Sequence, residues 1–137
     1  MDEIRWLCGL SVGVDRLDNE HKSLFTFYNT LALKLSESQV LETHCIPSAI
    51  FSDIFDYINN HFEHEEDYMR DINYPYIDQH IQQHEEIVKY IVEFHRGVSD
   101  ELNLGEAQRL AEFIGKWLVH HIMHTDSKYA EYAKTII

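Results

Sequence analysis

Apolar residues recur at intervals of three and four along most of the chain, the period of helices that bury one face. The first stripe, His21, Leu24, Phe25, Tyr28, Leu31, Ala32 and Leu35, predicts a helix from Asp18 or Asn19 to about Glu37. A second helix starts around Pro47, a residue suited to a first turn, and carries Ile50, Ile54, Ile58, His61, Glu65 and Met69 on one face. The stretch "NYPY" interrupts the pattern, because Pro75 disfavours helical backbone at Tyr74. A third helix then turns Ile77, His80, Ile81, His84, Ile87, Val88, Ile91 and Phe94 inward and ends near Gly97. A fourth, from about Gly105, presents Leu110, Phe113, Ile114, Trp117 and His121, and a short fifth piece closes the chain from about Asp126. Residues 1–17 lack a helical period and read as an extended arm laid over the core. With no convincing strand alternation, the expected fold is all-α: an antiparallel up-down four-helix bundle over 18–137, in one domain, with an N-terminal arm and a short C-terminal helix.

Polar residues interrupt these apolar faces at regular places. On a helix, positions four apart lie about 40° apart, so His61 and Glu65 share the face already claimed by Ile54 and Ile58. His64 and Glu66, about 100° from Glu65, belong on the flanks or in solvent. His80 and His84 repeat the spacing, His21 leads the first stripe, and His121 continues the fourth. A single inward histidine is usually a hydrogen-bonded core residue. Five of them with a carboxylate would cost several kcal/mol each if unpartnered, whereas shared metal ions satisfy all at once. Asp126 is five residues beyond His121, about 140° round a regular helix. It either caps the last short helix or reaches the site through a distortion of the fourth. Nitrogen and carboxylate donors without thiolate favour iron, zinc or manganese, and the donor set suits two ions bridged by the carboxylates, with one position open for a small ligand such as dioxygen.

Composition narrows the partners. The chain has 137 residues, 24 acidic against 11 basic, and a formal charge of −13, which opposes contact with nucleic acid or an anionic membrane. It lacks a secretory leader and any apolar run of roughly 18 to 20 residues, and it has only two cysteines, Cys8 and Cys45, in no CxxC arrangement; the expected location is cytoplasmic. No glutamate lies three residues before a histidine, against a ferritin-like or oxidase site. "HEEIV" and "HEEDY" lack the second histidine of a zinc protease motif.

The segments "DNEH" at 18–21, "HFxxEExxM" at 61–69, "YPxxxxHxxxH" at 74–84 and "WLxxHIxxTDxxY" at 117–129, with the lead-in "VGVDRLDNEHKSLF", resemble the hemerythrins, in particular bacterial hemerythrin-like domains. The likeness runs from about Trp6 to Tyr132. It implies one iron held by His80, His84 and His121 and a second held by His21 and His61. Glu65 and Asp126 would bridge the two irons beside an oxo or hydroxo group. It also implies dioxygen bound at the two-histidine iron, in an apolar pocket matching Leu24, Phe62, Trp117, Leu118 and Ile122, and a binding domain rather than an enzyme. Such domains occur fused to diguanylate cyclases and chemoreceptors. The helix-forming end "YAEYAKTII" therefore favours a dioxygen or redox sensor with a C-terminal output domain, the alternative being a stand-alone carrier or store. His120 and His124 depart from the family pattern; His124 either reaches the site entrance or solvates the helix end. His95, about 16 Å beyond His84, reads as a cation near a helix terminus, and His44 as a loop residue.

Overall fold

Each apolar stripe lies on a helix: α1 (Asp15–Val40), α2 (Ser52–Asp71), α3 (Ile77–Gly97) and α4 (Leu104–His121), followed by a short α5 (Ser127–Thr135). The computed structural model describes residues 3–41, 45–97 and 101–136, without the side chains of Cys8 and residues 95–97. The readings of Cys8, His44 and His95 therefore lie outside the described residues. Helix α1 packs between α2 and α4, and α2 packs on α3, in the up-down order expected of a bundle.

Helix boundaries depart from expectation where side chains act across a turn. Helix α1 begins at Asp15 rather than Asp18. The Asp18 carboxylate, inside the first turn, accepts from the Val12 amide at 2.8 Å and the Ser11 hydroxyl at 2.6 Å, so it ties down the arm. Gly13 makes this return possible with φ of 78°. At the far end of α2, Asn73 takes the left-handed conformation at φ 54°, and the Tyr74 amide closes on the Met69 carbonyl at 2.9 Å. Pro47 does not open α2. It ends a three-residue strand, β1 (Cys45–Pro47), paired antiparallel with β2 (Glu101–Asn103), and a 3-10 turn at Ser48–Phe51 leads into α2. Among the described residues this small ribbon is the one departure from an all-helical reading: Ile46 and Leu102 face each other across it, both buried. Asn103 then caps α4, accepting from the Glu106 amide at 2.8 Å.

Two apolar clusters fill the bundle. The larger joins residues such as Leu24, Phe62, Leu118 and Ile122 to the ribbon end; the smaller contains Val12, Leu17, Met69, Tyr74, Tyr129 and Ala130. The arm lies over α1 as expected, with the Ile4 backbone paired to the Asn29 amide at 2.9 and 2.8 Å and Trp6 edge-on to Phe25. Phe113, read as inward, is 37% exposed and packs on Tyr90 of α3 at 4.3 Å, because Ala107, Ala111 and Gly115 occupy the inner face of α4.

Those small residues let α4 approach α1 closely. A Cβ at Gly115 would lie 2.6 Å from the Tyr28 ring. Gly115→Ala is expected to lose about 1–3 kcal/mol in urea unfolding by overpacking. Gly105→Ala meets nothing closer than 3.4 Å and is expected to keep or slightly raise stability.

Candidate metal centre

Between the two apolar clusters lies a buried polar layer. Helix α1 supplies His21, α2 supplies His61 and Glu65, α3 supplies His80 and His84, and α4 supplies His121; all six are buried, with His21 and Glu65 fully so. The seventh group arrives by a break in helix geometry. From Ile122 to Asp126 the backbone winds as a π turn, whose wider i→i+5 period returns Asp126 to the side of His121. Its carboxylate, fully buried, lies 3.1 Å from His121 Nε2 and makes no capping hydrogen bond for α5, so of the two sequence readings the distortion is the one observed.

The two carboxylates each divide between two sets of imidazoles. Glu65 Oε1 lies 3.0 Å from His84 Nε2 and 3.3 Å from His80 Nε2, while Oε2 lies 3.2 Å from both His21 and His61 Nε2. Asp126 Oδ1 is 3.0 Å from His80 and 3.1 Å from His121, while Oδ2 is 3.1 Å from His21. Two donor groups result, each able to hold a metal ion: His80, His84 and His121, or His21 and His61, each with Glu65 and Asp126.

The layer fits cations better than hydrogen bonds. Although His80 Nε2 and the Asp126 oxygens lie within 3.0–3.1 Å of neighbours, their directions are not those of hydrogen bonds, and these atoms and Glu65 Oε1 have no hydrogen-bond partner. Each buried polar atom left so costs about 1–3 kcal/mol. The distances are short because the lone pairs converge on shared points. Outer contacts orient the rings: His61 Nδ1 donates to Glu20 Oε1 and His84 Nδ1 to Glu66 Oε2, each at 2.9 Å, which turns both Nε2 lone pairs inward. His84 Nε2 and His121 Nε2 then face each other at 3.2 Å, a repulsive approach unless a cation or proton lies between. The buried Tyr129 hydroxyl donates to Glu65 Oε2 at 2.9 Å.

Glu20, Glu66 and Tyr129 were not singled out as site residues from the sequence. Glu66 sits on the flank where its angle places it, and His64, also a flank residue, donates to Glu20 at 2.6 Å. The only local signal for the two glutamates is that each directly adjoins a buried donor, His21 or Glu65. Of the five expected pocket residues, Leu24, Phe62, Leu118 and Ile122 are buried and Trp117 is half-buried. Phe62 stacks on His84 at 3.8 Å and Trp117 on His121 at 4.5 Å, on the three-histidine side; the aromatic beside His21 is Trp6, at 6.3 Å. His120 and His124 are exposed and stay out of the layer.

Residues 12–133 match the family model of the hemerythrin HHE cation binding domain. The chain belongs to the hemerythrin family. Relatives named bacteriohemerythrin include one from Clostridium acetobutylicum, 26% identical over 92% of this chain and 98% of the relative. Another, from Campylobacter jejuni, is 29% identical over 90% of each. The crystal structure of wild-type hemerythrin superposes with a TM-score of 0.76 over 95% of this chain and 97% of that one, at 24% identity, and shares the fold.

The family's cation binding has an electrostatic consequence in this layer. Burial alone would depress the His21 and His80 imidazoles, but the facing Asp126 and Glu65 carboxylates outweigh it and raise them to about 10 and about 9. Burial likewise opposes the charged forms of Glu65 and Asp126, yet the surrounding imidazoles hold both well below the carboxylate range. Without metal, His21 and His80 therefore carry protons at neutral pH, and a metal must displace them. Metal loading at pH 7 is expected to release at least two protons per chain, read as buffer-dependent heats in calorimetry, and to tighten as pH rises. Raised imidazole values stabilise the metal-free fold fully below the usual ~6.5. That contribution disappears as pH climbs through about 9 to 10, so urea midpoints of the metal-free protein should fall over that range. Heats that do not depend on the buffer would show these imidazoles to be already neutral.

Proposed function

We propose that this domain holds two iron ions and binds dioxygen at them reversibly, without catalysing turnover. The observation that carries the reading is the division of Glu65 and Asp126, each offering one oxygen to each set of imidazoles, the arrangement a bridged pair of ions requires. In this reading His80, His84 and His121 would hold one iron and His21 and His61 the other, with Glu65 and Asp126 offering oxygens to both. Iron bound there would supply redox chemistry suited to dioxygen. The residue types agree, since imidazole and carboxylate without thiolate suit iron.

The chain's own residues do the rest. Glu20 and Glu66 fix the His61 and His84 rings so that their Nε2 atoms face inward. Tyr129 donates to Glu65 and holds one bridging oxygen in place. Leu24, Phe62, Trp117, Leu118 and Ile122 are the apolar wall proposed to keep water and protons from the bound ligand, and Trp6 covers the His21 side.

For the use of this binding, a dioxygen or redox sensor and a carrier or store both fit such a site. Relatives named bacteriohemerythrin match over 98% and 90% of their own lengths, so carriage or storage by the domain they share with this chain is the reading we put first. A cytoplasmic location is part of the proposal: Cys45 is a free, exposed thiol, and among the described residues no helix is long and apolar enough to cross a membrane.

Reduced protein, prepared without air, is expected to develop a visible charge-transfer band when dioxygen is admitted and to lose it under argon. Iron-replete protein that gives no band would refute the reading. Trp117→Ala should keep both metals but oxidise faster in air, because it opens the apolar wall; unchanged oxidation would remove Trp117 from it. His80→Ala or His121→Ala should lose metal and about 1–3 kcal/mol for each polar atom orphaned. Either variant with full iron content and full stability would overturn the ligand assignment.

A further inference from the structure

We propose that His120 and His124 form a second, surface metal site, selective for a divalent first-row transition ion and tightest for copper(II). The two residues are four apart across the junction of α4 and the π turn, and both are exposed. Their ring centroids lie 4.5 Å apart with the planes tilted by 44°. Histidines so spaced on one helical face are a standard way for a single backbone segment to offer two imidazoles to one ion. The pair belongs to neither buried donor group.

The surroundings select the class of ion. Both rings line a groove of about 490 Å³ that also contains Met123, Glu112 of α4 and Glu3 of the arm. Imidazole nitrogen favours copper, nickel and zinc, and copper(II) heads the affinity order for a given nitrogen site. Calcium and magnesium, which require mostly oxygen ligands, are disfavoured. Water completes the coordination shell, and the charge of −13 raises the local concentration of cations.

An ion held here would do more than decorate the surface. His120 and His124 lie on either side of the first residues of the π turn that carries Asp126 inward. A chelate across them fixes that turn from outside without touching the buried layer. The surface site does not depend on the buried ions being iron.

The test adds one equivalent of copper(II) to protein whose buried site is already loaded, in a Cys45→Ser background that removes the exposed thiol. Electron paramagnetic resonance is expected to show one copper with hyperfine splitting from two imidazole nitrogens. His120→Asn and His124→Asn should each weaken binding at least about tenfold, since losing even an outer partner of a metal ligand typically costs that much. The double variant should bind at least as weakly as either single one and show no imidazole splitting. His64→Asn, elsewhere on the surface, should bind as the parent does. Circular dichroism identical to the parent keeps a folding defect from being read as lost affinity. An unchanged copper spectrum in the double variant would overturn the proposal, as would equal loss in His64→Asn.

Discussion

Burying seven ionisable side chains in one layer is the constraint from which the rest of this bundle follows. Five imidazoles and two carboxylates lie between two apolar clusters, with almost no access to water. Isolated charges there would be far too costly, and hydrogen bonding does not account for every polar atom in the layer. The carboxylates and imidazoles hold one another in charged form when no metal is present, which is why His21 and His80 are pushed up while Glu65 and Asp126 are pushed down. The layer is thus compensated by protons or by metal, and the two compete for the same lone pairs.

Orientation within the layer is set from outside it. Glu20 and Glu66 stand one position from a buried donor, and each pins the Nδ1 of a histidine on a neighbouring helix. Glu20 serves His61 and His64 together, so α1 and α2 are tied at the height of the site. Aromatic faces do the corresponding work on the apolar side, where Phe62 lies flat on His84 and Trp117 on His121. A ring held at Nδ1 by a carboxylate and on its face by another ring has little freedom to turn, which suits a site that must offer the same lone pair to each incoming ion.

The π turn shows local regularity giving way to the needs of the layer. An unbroken α4 would carry Asp126 away from His121. Widening one turn returns it, and Thr125 at the same turn donates to Gln83 on α3 at 2.9 Å. Such turns recur at functional sites because a helix keeps its axis while a single side chain is re-aimed.

The sequence alone determined the helices to within a few residues, most of their buried faces and six of the seven polar side chains of the layer, because a period of 3.6 residues converts spacing into angle without reference to any other segment. Asp126 was open on spacing: regular helical arithmetic turns it outward, and only its packing against α1 and α3 in the folded chain places it beside His21 and His80. The outer glutamates were undecided for a related reason. A residue about 100° from the seam faces either water or the next helix, and which it faces depends on how the helices lie together. The β ribbon escaped because strands of three residues are too short to show alternation, and its pairing joins segments more than fifty positions apart. The helical pattern is local and could be read along the chain; the pairing of oxygens with imidazoles joins four helices and the π turn, and only the tertiary structure decided it.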